Sequence, residues 1–140
     1  MKLSLIVPCY NEEDNVAAFQ DAAIQAFAGC NYTIELVYID DGSTDNTLQI
    51  LKKMHEEQKC SMKVVSFSRN FGKEAGLYAG LEHATGDYIC LIDADLQQRP
   101  EIVRDMVKIL IEQPQYDIVA AYQDRRNEGK ILSLFKVRTN

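Results

Sequence analysis

The sequence predicts an α/β fold, three layers deep (α/β/α), with a mostly parallel sheet covered by helices on both faces. Short apolar runs rich in β-branched residues alternate with segments whose apolar residues recur at helical spacing. Polar, acid-rich clusters also fall directly after three of the predicted strands, where a parallel sheet opens its ligand crevice. A chain of 140 residues is enough for one domain and one core. No repeat, linker or low-complexity segment divides it, so residues 1–140 are expected to form a single domain.

Residues 3–7 (LSLIV) are the first predicted strand, ended by Pro8. Asn11 is placed to cap a helix whose first turn holds Glu12, Glu13 and Asp14. Val16, Phe19, Ala23 and Phe27 carry that helix to about Ala28, and Gly29 closes it. Residues 34–40 (IELVYID) form the second strand, and Asp41-Gly42-Ser43-Thr44-Asp45 is turn chemistry that also starts a helix. A helix over residues 46–58 turns Ile50, Leu51 and Met54 inward, and residues 64–67 form a third strand. The turn at Gly72 leads into a helix ending near Ala84, broken by Gly86. Residues 88–92 (YICLI) are the fourth strand. An amphipathic helix follows Pro100, with Ile102, Val103, Met106, Val107, Leu110 and Ile111 on one face, and Pro114 ends it. Residues 118–121 form a fifth strand.

The net charge of −6 argues against a nucleic-acid partner, which favours a basic surface. No apolar run approaches the roughly 20 residues that span a bilayer, and no secretory signal opens the chain, so the expected location is cytoplasmic. Cys9, Cys30, Cys60 and Cys90 form no CxxC pair and no zinc spacing with histidine, so they read as reduced, mostly buried thiols.

The chemistry concentrates in the loops after the strands. In Asp93-Ala94-Asp95-Leu96-Gln97, Asp93 and Asp95 offer hard oxygen ligands and Gln97 a third, a set suited to Mg2+ or Mn2+ shared with substrate phosphates. The glycine and closing glutamate of a calcium EF-hand loop are absent. A solvated loop that caps the helix ahead of Pro100 is the alternative. Of Asp40 and Asp41, one carboxylate can accept from a base N–H or a ribose hydroxyl and the other can cap the following helix; the sequence leaves the assignment open. Tyr10 either stacks on a base or packs under its loop, and Glu12 is either a ligand or a first-turn charge. Neither GxGxxG nor GxxxxGK followed by Ser or Thr occurs, which removes the dinucleotide-binding and P-loop readings. A diphosphate would then be neutralised by a metal and by basic side chains, for which Arg69, Lys73, Arg125 and Arg126 are available unless they are simply solvated. His55 and His83 read as structural.

Four stretches carry a resemblance: residues 7–13 (VPCYNEE), 39–45 (IDDGSTD), 68–74 (SRNFGKE) and 92–97 (IDADLQ). In this order they resemble family 2 glycosyltransferases of the GT-A fold, and within them the polyprenyl-phosphate glycosyltransferases of the bactoprenol glucosyltransferase and dolichol-phosphate mannose synthase type. The resemblance implies that Pro8, Tyr10, Asn11 and Glu12 line a nucleotide-sugar pocket, with Asp40 and Asp41 near base and ribose. It implies that Asn70 and Lys73 sit near the donor, UDP-glucose being suggested by residues 69–74. Asp93, Ala94 and Asp95 would bind the donor's diphosphate, with Mg2+ or Mn2+ held by Asp93, Asp95 and Gln97. Residues 98–100 (QRP) depart from the family's usual stretch there. Residues 121–126 match its arginine-bearing loop only loosely, which makes Arg125 and Arg126 candidates for an acceptor or phosphate contact.

Relatives of this type continue into a catalytic acidic residue and a membrane region. The chain is therefore expected to be the N-terminal part of such a protein, with its base beyond Asn140 and the full-length protein at the cytoplasmic face of a membrane. A homo-oligomer is left open. Residues 125–138 are basic, with apolar Ile131, Leu132, Leu134 and Phe135, and read either as a membrane-surface or lipid-phosphate contact or as a frayed helix. The expected reaction is inverting transfer of a sugar from its nucleotide to a lipid phosphate, whose oxygen is already anionic. A sugar nucleotidyltransferase is the enzymatic alternative, although its early glycine-rich, basic loop is missing. A nucleotide-sugar binding module without turnover is the other.

Overall fold

The computed structural model describes residues 1–123 and 130–137. In chain order its elements are β1 (Lys2–Cys9), α1 (Val16–Ala26), β2 (Thr33–Asp40), α2 (Thr47–Glu57), β3 (Ser61–Ser66), α3 (Lys73–His83), β4 (Tyr88–Leu91), α4 (Pro100–Glu112), β5 (Ile118–Gln123) and β6 (Lys130–Lys136). The strands form one sheet in the order β3-β2-β1-β4-β6-β5. The pairs β3–β2, β2–β1 and β1–β4 are parallel, and β6 runs antiparallel to both β4 and β5. The expected α/β/α architecture with a mostly parallel sheet is therefore what the chain adopts.

Side chains alternate across β1 as a pleated strand requires. Leu3, Leu5 and Val7 join the larger core, with Val16 and Phe19 of α1, Leu51 and Met54 of α2, and Val103, Met106, Val107 and Leu110 of α4. Ile6 faces the other way and packs with Val37, Ile39, Ile89 and Ala79 of α3. The Tyr38 hydroxyl donates to the Val16 carbonyl (2.9 Å), and its ring meets Phe19 edge-on, which anchors α1 to the sheet.

Helix α3 reaches the sheet through small residues: Gly76, Ala79 and Gly80 are its buried positions. A Cβ on Gly80 would lie 2.4 Å from Cγ2 of the buried Ile6. Gly80→Ala is therefore expected to destabilise by about 1 to 2 kcal/mol, overpacking outweighing alanine's better helix propensity. Urea unfolding checks it, and an unchanged or raised midpoint would show that Ile6 yields instead.

Several boundaries differ from expectation. Pro8 does not end β1, which pairs on through Pro8↔Ile39 and Cys9↔Asp40. The Ile6 carbonyl faces β4, accepting from Ile92 N, so two residues later Pro8 also faces that side, beyond the last β1–β4 pair, Ile6↔Leu91. Its missing N–H removes no ladder bond there. Helix α1 starts at Val16, not at Asn11, because Asn11 has φ 52° and its side chain is used elsewhere. Ile102 and Ile111 of α4 are exposed, so the buried stripe is narrower than the sequence pattern suggested. The largest correction is β6. Residues 130–136 are not a frayed helix but a strand between β4 and β5, with Leu132 and Leu134 buried in the larger core, and residues 125–129 and 138 lie outside the described residues. Phe135 packs partly buried against the smaller one. Apolar residues on both faces are what a strand covered on two sides needs.

The amino edge of the sheet holds a buried carboxylate. Glu35 Oε1 accepts from Ser4 Oγ (2.6 Å), Thr85 N (2.6 Å) and Thr85 Oγ1 (2.9 Å), and Lys63 Nζ lies 3.6 Å from Oε2. Gly86 N donates to Ser4 Oγ (2.8 Å), and Lys63 Nζ also donates to the His83 carbonyl (2.7 Å). The set pins the α3–β4 connection to β1 and β2. Among the described residues no helix is long and apolar enough to cross a membrane.

Candidate functional site

Strands β1, β2, β3 and β4 are parallel, so the loops that follow them open on one edge of the sheet. The loops after β1 and β2 are stitched together. Asn11 N donates to Ser43 Oγ (3.0 Å), and Asn11 Oδ1 accepts from Thr44 N (2.8 Å), Asp45 N (3.3 Å) and Thr44 Oγ1 (3.3 Å). Glu12 N donates to the buried Thr47 Oγ1 (2.9 Å), and Glu13 Oε2 accepts from Asn46 N (3.0 Å). The Glu12 carboxylate accepts from Asn15 Nδ2 (2.7 Å), and Tyr10 on the same loop is exposed.

Asp40 and Asp41 are both buried, yet their carboxylates do different things. Asp40 Oδ1 accepts from Ser43 N (3.3 Å), a local turn. Asp41 reaches across to the loop after β3: Oδ1 accepts from Phe71 N (2.7 Å) and Oδ2 from Gly72 N (3.1 Å). Asp41 thus holds the start of α3, not that of α2, where Asp45 Oδ1 accepts from Thr47 N (2.9 Å). Gly42 is pressed onto the same loop. Its φ is +69°, and a Cβ there would lie 2.2 Å from the Arg69 backbone carbon and 2.4 Å from Asn70 N, so only glycine fits. In that loop the Arg69 guanidinium lies 4.3 Å from the centre of the Phe71 ring, and Asn70 and Lys73 are exposed.

After β4, Ala94 is buried while Asp93 and Asp95 are half-buried on either side of it. Asp95 Oδ1 accepts from Gln97 N (3.1 Å), and Leu96 is held at φ 60°, a costly conformation for leucine. Gln97 is exposed and Gln98 buried. Among the described residues, no group of three or more His, Cys, Asp or Glu could hold a metal ion. Two hard carboxylates at an open edge form an incomplete donor set. That fits a Mg2+- or Mn2+-like cation that completes its shell with water and substrate phosphate, and does not fit a cation caged by protein.

Cys9, the last residue of β1, is buried at this edge. Burial pushes its thiol far up, and the Glu12, Asp40 and Asp93 carboxylates push it further. The parallel order β2-β1-β4 sets the ends of these strands side by side, with Asp40 paired to Cys9 and Asp93 following Ile92, whose N–H donates to the Ile6 carbonyl. Cys90, also buried, is pushed up to about 12 by burial. All four cysteines are free thiols, Cys9 and Cys90 fully buried and Cys30 and Cys60 partly so. His83 Nδ1 contacts the Ala79 carbonyl of its own helix (2.8 Å), and His55 lines a cavity of about 390 Å³ between α2 and β3.

The structure thus brings Pro8, Tyr10, Asn11, Glu12, Asp40, Asp41, Asn70, Asp93, Ala94, Asp95 and Gln97 to loops or strand ends of one edge, with Lys73 at the start of α3 beside them in the chain. Arg125 and Arg126 lie outside the described residues. Sequence reasoning missed the stitching by Glu13, Ser43, Thr44, Asp45 and Thr47. The signal was present, since Ser, Thr and Asp after a strand are side chains that bind nearby backbone.

The family model for glycosyl transferase family 2 matches residues 4–134. The prophage bactoprenol glucosyl transferase homolog of Escherichia coli is 39% identical over 132 residues, covering 94% of this chain and 42% of that protein. The dodecaprenyl-phosphate galacturonate synthase of Rhizobium johnstonii is 34% identical over 132 residues, covering 94% and 39%. The chain therefore spans about two fifths of the length of these curated relatives. Among solved structures, the mannosyltransferase PcManGT of Pyrobaculum calidifontis, in complex with GDP-Man and Mn2+, superposes with a TM-score of 0.77 at 25% identity, covering 96% of this chain and 44% of that one. Glucosyl-3-phosphoglycerate synthase of Mycobacterium tuberculosis, with Mn2+, UDP and glucosyl-3-phosphoglycerate, gives 0.64 at 25% identity, covering 84% and 42%.

Proposed function

The chain belongs to glycosyl transferase family 2 and has the GT-A fold, and from that membership we propose that its carboxyl edge binds a nucleotide-sugar for transfer to a polyprenyl phosphate. One observation carries the reading: the parallel order β2-β1-β4 opens the ends of these strands on one edge, which brings Asp40, the loop of residues 10–12 and the loop of residues 93–95 to neighbouring positions. The acceptor is inferred from the bactoprenol and dodecaprenyl-phosphate relatives. UDP-glucose is the donor suggested by residues 69–74.

In this reading Asp93 and Asp95, with Gln97, hold Mg2+ or Mn2+. When bound, the cation supplies positive charge against the nucleoside diphosphate that departs. Asp40 accepts from the base or ribose, and Pro8 and Tyr10 line the pocket. Arg69 and Lys73, on the loop that Asp41 and Gly42 fix, add positive charge near the diphosphate. The sugar transfers with inversion, because the acceptor oxygen attacks the anomeric carbon opposite the leaving group. A phosphate acceptor is already anionic, so positioning matters more than deprotonation. The whole protein would work at the cytoplasmic face of a membrane.

The experiment is calorimetric titration of UDP, GDP and their glucose and mannose conjugates, with Mn2+ or with EDTA. One nucleotide series is expected to bind with Mn2+ and to lose most of its affinity in EDTA. Binding indifferent to EDTA would remove the metal from the reading, and no binding in either series would remove the donor site.

A further inference from the structure

We propose that Asn11 is a positioning residue that locks the β1–α1 loop onto the β2–α2 loop and sets the spacing of the pocket's two walls, without binding the nucleotide itself. The proposal deepens the donor-site reading and rests on it. Asn11 has left-handed backbone geometry, φ 52°, which asparagine and aspartate tolerate better than other side chains. Its side-chain oxygen receives three donors from the facing loop: Thr44 N, Thr44 Oγ1 and Asp45 N. Its own N–H donates back to Ser43 Oγ. Acceptance at Oδ1 combined with a positive φ is a pairing that only Asn and Asp supply in one short side chain.

The lock sits between functional neighbours. Tyr10 and Glu12 flank Asn11 on one loop, and Ser43, which bonds Asn11, also donates its N–H to Asp40 on the other. A shift of one loop against the other would change the distance from Tyr10 to Asp40 without altering either residue. A loop already held in its bound position spares the ligand the cost of ordering it, so loosening it weakens binding.

Two substitutions separate the roles. Asn11→Asp keeps the acceptor oxygen and the backbone tolerance but replaces the amide nitrogen with a second oxygen. Asn11→Gly keeps the backbone freedom and deletes the acceptor. With Mn2+ present, Asn11→Asp is expected to bind UDP or GDP within about threefold of wild type, and Asn11→Gly about tenfold or more weaker, with both folded. Hydrogen exchange of the Thr44 and Asp45 amides is expected to accelerate in Asn11→Gly and to stay slow in Asn11→Asp. If Asn11→Asp loses as much affinity as Asn11→Gly, the amide nitrogen itself contacts the nucleotide and the proposal is overturned. Wild-type affinity or unchanged exchange in Asn11→Gly overturns it too. Exchange needs no ligand, so a wild type that binds neither nucleotide would defeat the donor reading while the lock is still judged.

Discussion

Asp95→Ala is expected to weaken Mn2+-dependent binding of the preferred nucleoside diphosphate by about a hundredfold or more, the size expected when a protein ligand to a shared cation is removed. The reason is the sparseness of the donor set. Asp93 and Asp95 stand alone, with no third carboxylate, histidine or thiol grouped with them among the described residues, so losing one halves the anionic protein ligands. In EDTA, mutant and wild type should bind alike, because the lost interaction runs through the cation. The half-buried position makes a fold defect small, about 0.5 kcal/mol or less. Asp95 does bond the Gln97 amide, so Asp95→Asn, which can retain that bond, is the control. Equal Mn2+-dependent binding by wild type and Asp95→Ala would mean that the cation is held elsewhere.

Glu35→Ala is expected to destabilise the fold by about 3 kcal/mol, because it strands buried donors on Ser4 and Thr85 and removes the partner of Lys63. Glu35→Gln keeps the shape and an acceptor oxygen and should cost about half as much. Burial alone would raise the Glu35 carboxyl, but the hydrogen bonds from Ser4 and Thr85, with the Lys63 ammonium, together outweigh it and hold it below the usual glutamate range. A depressed folded value means that this stabilisation is fully present above the unfolded value. It is lost as pH falls through the folded one. Urea midpoints measured downward from neutral pH should therefore converge for wild type and Glu35→Gln. Parallel curves would show that Glu35 titrates no differently in the folded chain.

The fold was legible where one periodicity dominates. Leu3, Leu5 and Val7, or Val103, Met106, Val107 and Leu110, announce their element because one face is buried throughout. Residues 130–136 were opaque because Lys130, Lys136 and Arg138 flank the apolar run, and a basic, apolar segment is also the composition of a membrane-surface contact. Asn11 was misplaced as a helix cap for a physical reason: the short acceptor that favours caps also suits a left-handed turn that bonds another loop, and only the fold brings Thr44 within reach. The acidic clusters were legible as a convergence because strand ends and a parallel sheet fix where loops go. The division of labour in Asp40-Asp41 was not, since it depends on residues 71 and 72 arriving from another strand.

The placement of β6 between β4 and β5 bears on how the chain is made. As residues leave the ribosome, β1 through β4 can assemble side by side, each new strand finding a neighbour already present. β5 cannot, since the strand it pairs with in the finished order is β6, which is synthesised after it. Until Lys136 has emerged, β5 and the flank of β4 along residues 88–90 offer unpaired backbone to any passing chain. In the interval between those two strands, the edges left open are those that aggregation would use, and they close only when β6 inserts between β4 and β5.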